Sequence, residues 1–579
     1  MQIFPTGSEI EHAANLLVKK YHVTAQLLGK LFGATQRNNA NSILTSLGSG
    51  RLTTLAVARL LVRREGPELF TGSREDTREL RLHLLRQLAD EKVKKLFQRH
   101  SPNDNNISSP SYMRRPLAKR KWHAGKHWAR DFVAVLGFPP IFAGIASPPK
   151  VPTIQDVPPL EVPPELAEFQ KGLKTKMLDV LGQDGDKTRC VVTLPTGGGK
   201  TRVAVEAFID WMQPRFAEGK YLIWIAQSEE LCEQAIACIE SMWGSRQFVG
   251  PLRIYRFFGG RDVPEEDLRG GAVVASIQQL HSRIKSGDKS FETILSNTGA
   301  MIIDEAHRAV SQMYNGLLDA AEKTCGSDLF PICGLTATPG RPDQETDKLV
   351  GRFEAYLIKP DLGAEYEKSP LRYFRERQFL ARAYHKLYRS GLEYTLTDDE
   401  AEKVKREKDL PAEFLKRLAA DKQRNLLIIR RLLDLPKGTS TLVYACTVEH
   451  AYFLSALLPA QGRSSGAVSS DTPITLRRAL IRDFKEQKIE FLCNYGVLTT
   501  GFDAPKVRCI ALCRPTTSEV LYEQIIGRGL RGPKFGGTPE CTIIDFADNI
   551  RRLGPPLAYR RFEDFWSDQT TEQQRSEAS

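Results

Sequence analysis

The sequence predicts two α/β domains, each built on a parallel sheet, preceded by a small, basic, mainly α-helical domain. Three observations carry this. From about residue 165 onward, short β-branched runs alternate with helical segments, which marks a parallel sheet covered by helices. That set of runs occurs twice. The first 150 residues lack it and hold 24 Lys and Arg against 11 Asp and Glu, the whole positive excess of a 579-residue chain whose net charge is +12.

Residues 1–146 form the helical domain, where Leu55, Ala58 and Leu61, then Leu85, Leu88, Ala89, Val93, Leu96 and Phe97, recur at helical spacing. Ser101 to Pro110 is rich in turn formers and reads as a loop. Arg114 to Arg130 holds seven Lys/Arg, no acid and interleaved aromatic rings. Two readings of this run stand side by side. In one, Arg120, Lys121, Trp122 and Trp128 touch nucleic acid, cations on phosphates and rings on bases. In the other, the run is a solvated basic face whose tryptophans pack inward. The charge asymmetry points to a polyanionic partner, since Lys and Arg release counterions from phosphates.

Residues 147–164 include seven prolines, which fix φ and remove donors, and so form an extended linker. Residues 165–350 make the first α/β domain, with strand-like runs at Cys190-Val-Val-Thr-Leu194, Tyr221-Leu-Ile-Trp-Ile225, Ala272-Val-Val-Ala275 and Met301-Ile-Ile303. Residues 351–435 are charged and largely helical, interrupted at Pro411, and read as a connector or helical insertion. Residues 436–555 repeat the α/β pattern at Thr441-Leu-Val-Tyr444, Phe491-Leu-Cys493, Cys509-Ile-Ala-Leu-Cys513 and Cys541-Thr-Ile-Ile544. Residues 556–579 are a C-terminal tail.

No stretch reaches the ~18 apolar residues that a membrane span requires, and the start lacks a secretory pattern. Ten cysteines are scattered without zinc spacing, so they read as buried reduced thiols of a cytoplasmic protein with no membrane partner.

The chemistry is concentrated in a few runs. In Thr196-Gly-Gly-Gly-Lys-Thr201 a strand ends in Gly197, Gly198 and Gly199 and a helix begins, so backbone N–H groups can surround phosphate oxygens at a positive helix terminus. Lys200 would neutralise β- and γ-phosphates, and the Thr201 hydroxyl would bind Mg²⁺. The full phosphate-loop pattern wants glycine at 194, where this chain has Leu194. Met301-Ile-Ile-Asp-Glu-Ala-His307 then places two carboxylates directly after an apolar strand. Asp304 would hold Mg²⁺, and Glu305 would orient and deprotonate the attacking water.

With these in place the chain resembles the superfamily 2 helicases and translocases across residues 165–550. The resemblance implies two RecA-like domains that hydrolyse Mg-ATP between them. Phe169-Gln170 is similar to the aromatic-Gln pair that reads adenine, and His307 completes the Asp-Glu-Ala-His motif at the nucleotide. Gln227, Ser276 and Gln278 match first-domain positions that hold the nucleic-acid backbone. Thr338 lies in Thr336-Ala-Thr-Pro339, similar to the motif coupling hydrolysis to strand movement. Thr447 falls in a segment resembling motif IV, and Thr499, Thr500, Gly501 and Asp503 in one resembling motif V, which faces both nucleotide and strand. Gln524-Ile-Ile-Gly-Arg-Gly-Leu-Arg531 resembles the last motif, whose arginines, here Arg528 and Arg531, act as fingers on the γ-phosphate.

The motif wording is nearest the branch of restriction-enzyme motors and UvsW-like DNA helicases, which favours DNA over RNA as partner. The expectation for the whole is an ATP-dependent DNA helicase or translocase; a second reading makes it the motor subunit of a restriction or phage-defence system, with protein partners docking on the basic domain. A duplex translocase, a nucleotide-gated binding switch and an RNA helicase are the alternatives.

Overall fold

The structure is a computed structural model that describes residues 4–558 apart from 73, 102–108, 147–151, 158–164, 183–185, 244–249, 262, 264, 307–311, 326–329, 338–352, 355, 367–369, 408, 499–503, 505, 552 and 554–556. Most of the expected loop at 101–110 and tail at 556–579 therefore lies outside the described residues.

The N-terminal domain is helical, as its periodicity predicts. Its α-helices are α1 (Gly7–Asn15), α2 (Ala25–Phe32), α3 (Ala34–Ser46), α4 (Thr54–Glu65), α5 (Glu75–Arg86), α6 (Asp90–His100), α7 (Pro110–Lys119) and α8 (His127–Leu136). Thr6 and Glu9 close a reciprocal capping box at the start of α1, the Glu9 N–H donating to Thr6 Oγ1 at 3.2 Å. Thr24 and Thr53 cap α2 and α4 with one bond each, accepting from the Leu27 and Ala56 N–H groups.

The first sheet runs β1-β4-β5-β3-β6-β7-β2-β8. Its strands are β1 (Ile154–Val157), β2 (Arg189–Thr193), β3 (Tyr221–Ala226), β4 (Leu252–Phe257), β5 (Gly271–Ser276), β6 (Thr298–Ile303), β7 (Ile332–Thr336) and β8 (Leu357–Ile358). All pair in parallel except β1 with β4. The central strands β3 and β5 are buried at every position, the pattern of a sheet covered on both faces.

The second sheet runs β11-β12-β10-β13-β14-β9, wholly parallel, with β9 (Arg382–Thr395), β10 (Thr441–Tyr444), β11 (Ser465–Val468), β12 (Phe491–Asn494), β13 (Cys509–Leu512) and β14 (Glu540–Arg551). Two α/β domains with parallel sheets behind a helical domain are what the sequence predicts.

The joins between domains differ from the expectation. The stretch 147–164, expected as a bare linker, contains β1, which pairs antiparallel with β4 and is tied by Arg253 Nε to Asp156 at 3.0 Å. Ile154 to Val157 is a proline-free interval at a sheet edge, where neighbouring prolines are tolerated. The stretch 351–435, expected as a helical connector, is divided. β8 closes the edge of the first sheet, and the 14-residue β9 forms an edge of the second, while helices Asp398–Glu407, Ala412–Ala420 and Lys422–Leu433 follow, with Pro411 at the predicted break.

The helical domain is docked on the second α/β domain. Its α3 and α4 lie against helices Lys422–Leu433 and Val448–Leu457, and one continuous hydrophobic core runs through both units. Asn39 Nδ2 donates to Ala420 O at 2.7 Å, and Gln461 Nε2 to Ser49 Oγ at 2.8 Å. Among the described residues no helix is long and apolar enough to cross a membrane.

Candidate active site and nucleic-acid interface

The phosphate-loop candidate spans from β2 to the helix Lys200–Met212. Gly197 and Gly199 have φ of 87° and 84°, a region L side chains rarely adopt, and a Cβ on Gly199 would lie 2.5 Å from Gln170 Nε2. Thr201 follows Lys200 in the first turn of that helix. Lys200 Nζ donates to Leu194 O at 3.0 Å, so the carbonyl of the residue that departs from the glycine pattern anchors the cation. Burial lowers the Lys200 ammonium from its ordinary value, while Glu305, Asp304 and Glu523 raise it.

Asp304 and Glu305 leave the C-terminal end of β6. The Asp304 N–H donates to Ile225 O at 2.9 Å, and the Glu305 N–H to Asp304 Oδ1 at 3.0 Å. Glu305 has a φ of +53°, a strained conformation for a side-chain-bearing residue, and this turn directs the two carboxylates from adjacent positions into one site. Burial, followed by the Glu305 charge, pushes the Asp304 carboxyl up to about 7; Lys200 and Arg528 act against that.

The second domain completes the cleft. Helix Glu519–Ile526 carries Gln524 and leads into Gly527, Arg528 and Arg531. A Cβ on Gly527 would fall 2.2 Å from Thr196 Cγ2, and one on Gly197 would meet Leu380 Cδ2 at 3.3 Å, so the last motif lies directly on the phosphate loop. Arg528 is close enough to influence the charges of both Lys200 and Asp304. The buried Gln524 Nε2 has no hydrogen-bond partner among the described residues.

Phe169 and Gln170 are placed at the loop but turned to other tasks. Gln170 Nε2 donates to Gly198 O and its Oε1 accepts from Ala167 N, each at 3.0 Å. Phe169 is buried against Phe374 and Phe379, ring centroids 5.1 and 5.0 Å away. Both side chains are buried here, and Gln170 braces the loop through Gly198 O.

Gln227, Ser276 and Gln278 come together at the C-terminal ends of β3 and β5, lining an open cleft of about 820 Å³. Gln278 Nε2 donates to Gln227 O at 3.1 Å, and Ser276 caps the helix Ile277–Ser286. Thr447, on the second domain, accepts from the His450 N–H and caps Val448–Leu457. His307, Thr338, Thr499, Thr500, Gly501 and Asp503 lie outside the described residues.

In the helical domain the basic-aromatic run divides. Arg120 and Lys121 are exposed, but Trp122 and Trp128 are 9 % and 5 % exposed and pack with Phe70, Phe132 and His100. The two rings belong to the core and cannot stack on bases, which corrects the nucleic-acid assignment for both. Burial of so large an apolar area outweighs a transient stacking role.

One group at the cleft escaped the sequence reading. Burial pushes the Glu523 carboxyl up to about 7, against the pull of Lys200 across the domain boundary. Its place four residues before Gly527, on the same face of the helix end, is the signal that would have found it.

Two family models match the chain: "Type III restriction enzyme, res subunit" over residues 165–341 and "Helicase conserved C-terminal domain" over residues 424–532. The chain is 29% identical over 345 residues to a Saccharomyces cerevisiae protein named as the ATP-dependent helicase IRC3, covering 58% of this chain and 44% of that one. It is 27% identical over 264 residues to the Schizosaccharomyces pombe protein named as a mitochondrial ATP-dependent helicase, irc3, covering 44% and 39%. The chain thus spans less than half the length of these relatives. Among solved structures, a fragment of an HsdR subunit of a type I restriction enzyme from Vibrio vulnificus aligns at a TM-score of 0.44 and 20% identity, covering 68% of this chain and 65% of that one.

Proposed function

Because this chain belongs to superfamily 2 of the helicases, with kin among the restriction-enzyme motors, we propose that it is an ATP-driven motor on nucleic acid, DNA before RNA, that hydrolyses Mg-ATP between its two α/β domains. The observation that carries this is the meeting of the two half-sites, Thr196 of the phosphate loop lying against Gly527 of the last motif.

The residues present fit the nucleotide and its metal. The two left-handed glycines open the loop to phosphate oxygens, the buried Gln524 amide keeps a donor without a partner among the described residues, and Thr201 and Asp304 supply hard oxygen ligands. Mg²⁺, when bound, neutralises charge on the β- and γ-phosphates. Lys200 shares that task and would exchange its bond to Leu194 O for a phosphate. Glu305 orients the attacking water and accepts its proton. Arg528 and Arg531 stabilise charge developing on the γ-phosphate, which requires the domains to be closed. Opening after hydrolysis would step a strand held by Gln227, Ser276 and Gln278 on one domain and Thr447 on the other.

Glu305→Gln should abolish turnover while ATP binding persists. Undiminished nucleic-acid-stimulated hydrolysis in that variant would refute the assignment. Strand displacement measured beside triplex displacement separates unwinding from tracking along duplex. The match of the first α/β domain to a restriction subunit supports a place as motor of a multi-protein restriction or defence system. We place the protein in the cytosol, in keeping with nine cysteines held as thiols among the described residues.

A further inference from the structure

The helical domain lies outside both family matches, and with its two tryptophans buried its excess of cations lacks an aromatic partner on the run where the sequence placed one. A different juxtaposition supplies it. Between α5 and α7 lies an open cleft of about 500 Å³ lined by Leu82 and Arg86 on the first helix and Ser111, Tyr112, Arg114 and Arg115 on the second. Leu82 and Arg86 are one turn apart on α5, and Ser111 and Arg115 one turn apart on α7, so each helix presents one face to the cleft. Tyr112 is 74 % exposed, the most exposed large hydrophobic side chain among the described residues.

The cleft has a rigid frame. Arg114 is buried and staples α7 to the turn joining α5 and α6: its Nε donates to Leu85 O at 3.0 Å, and its Nη2 to Leu88 O at 3.0 Å and Asp90 Oδ1 at 2.7 Å. Arg86, Ser111 and Arg115 are left on the surface. No acid is among the residues that line the cleft, and two acids near it are paired, Asp90 with Arg114 and Glu79 with Lys30 at 3.3 Å.

On the same helix α5 the domain holds a buried cation with no carboxylate partner. Arg81 on α5 is 1 % exposed, and its two Nη groups donate to the carbonyls of Arg120, at 3.2 Å, and Gly72, at 3.0 Å, rather than to a carboxylate. Its Nε has no partner among the described residues, and burial pushes the guanidinium down to about 10. Its guanidinium lies over the Trp122 ring, 5.6 Å from the centroid, so the charge is held by carbonyls and a ring face and adds to the positive potential of the domain. The exposed Lys119, Arg120 and Lys121 extend the positive surface from the end of α7.

We infer that the cleft between α5 and α7 seats an unpaired nucleic-acid strand, Arg86 and Arg115 taking a phosphate and Tyr112 stacking on a base. A duplex has no use for the tyrosine face, since its bases are already stacked on one another. An unpaired nucleotide offers an anion and a ring together, the combination that single-strand binding surfaces use. An acidic peptide would engage the arginines but leave the ring unused. The inference rests on the motor reading and adds a second hold on the strand, off the motor domains.

The test uses the full chain and fluorescence anisotropy with labelled oligo-dT, oligo-U and a blunt duplex over a salt series, with a polyglutamate peptide as competitor. Arg86→Ala/Arg115→Ala should weaken strand binding roughly tenfold and lower the slope of log K against log salt by about 0.7 for each phosphate no longer neutralised. Tyr112→Ala should weaken it roughly tenfold at unchanged slope, and Tyr112→Phe should restore it. Duplex binding, basal hydrolysis and the thermal midpoint should match the wild type. Loss on either oligomer supports the site, and the ratio between them tells DNA from RNA. Variants that bind strands as the wild type does, that lose duplex equally, or that lose only polyglutamate binding overturn it. If the wild type neither binds nucleic acid nor hydrolyses ATP, the motor reading itself fails first; if it does both and the variants are unaltered, only the cleft assignment fails.

Discussion

Gly527 shows how a single hydrogen atom in place of a side chain can govern a two-domain site. A methyl there would stand 2.2 Å from Thr196 Cγ2, nearer than unbonded atoms approach, so the domains would have to part or the phosphate loop shift. Gly527→Ala should therefore reduce hydrolysis roughly 10- to 100-fold, the scale of an ångström's misplacement, with each domain's thermal transition unmoved. Thr196→Ser added to it, which removes the nearest carbon, should recover part of the loss. A second residue-scale prediction concerns His450, which is buried; the Cys446 N–H donates to its Nδ1 at 3.2 Å, and its Nε2 lies 2.9 Å from Asn425 Oδ1. A proton on Nδ1 would face another donor. Burial, reinforced by Arg424, lowers this imidazole to about 3. The unfolded chain takes up a proton near the ordinary value of about 6.5 and the folded one does not, so His450 costs stability as pH falls from there toward 3. Urea midpoints from pH 7.5 to 4.5 should fall more steeply for the wild type than for His450→Gln, by up to roughly 1.4 kcal/mol per pH unit; parallel slopes would remove the assignment.

At the scale of elements, the second sheet is fastened to helix Lys422–Leu433 by a buried ion pair. Arg424, in Lys422–Leu433, bonds Asp548 through Nε at 3.0 Å and Nη2 at 2.8 Å and donates to Cys513 O at 2.7 Å, and both side chains are fully buried. Asp548 sits where the register of β14 against β9 shifts between Ala547 and Asn549, an irregularity that turns its carboxylate toward the helix. Asp548→Ala leaves Arg424 buried and unpaired and should cost about 3–5 kcal/mol in urea unfolding, whereas Arg424→Met with Asp548→Leu should recover most of it. None of this was legible in the sequence, because the pair joins residues 124 apart. The buried parallel strands were legible as β-branched runs, while β9 was not: at the sheet edge it is buried fully at one position, Ala383, and its Arg382, Lys386 and Arg389 read as a charged connector. The same contrast holds at the site. Lys200, and likewise the pair Asp304 and Glu305, were readable because each sits in a short contiguous run whose residue types phosphate and metal chemistry require, whereas Glu523, Leu380 and the Thr196–Gly527 contact arise only when distant segments close on one another.

At the scale of the whole molecule, the helical domain rides on the second α/β domain. Helix Val448–Leu457 is the evidence in miniature: Ala451, Phe453, Leu454, Ala456 and Leu457 are all buried, too many for a helix with one face on a sheet and one in water. One side packs on the second sheet and the other meets α4. The basic surface is therefore fixed to the α/β domain that carries Arg528 and Arg531, while its covalent connection runs to the one that carries Lys200. Deleting residues 1–146 would strip this helix of its cover, so a truncated chain should aggregate and is a poor probe of what the basic domain binds. Severing the chain is the better experiment. A protease site inserted in the proline-rich stretch at 147–151, cut after folding, should leave the two fragments co-eluting in gel filtration at moderate salt, since the interface is apolar and not screened by ions. Replacing Leu454 with aspartate should release the N-terminal fragment after the same cut. Fragments that separate without that substitution would mean the helical domain is tethered and not docked, and its surface would then be free to act independently of the second α/β domain.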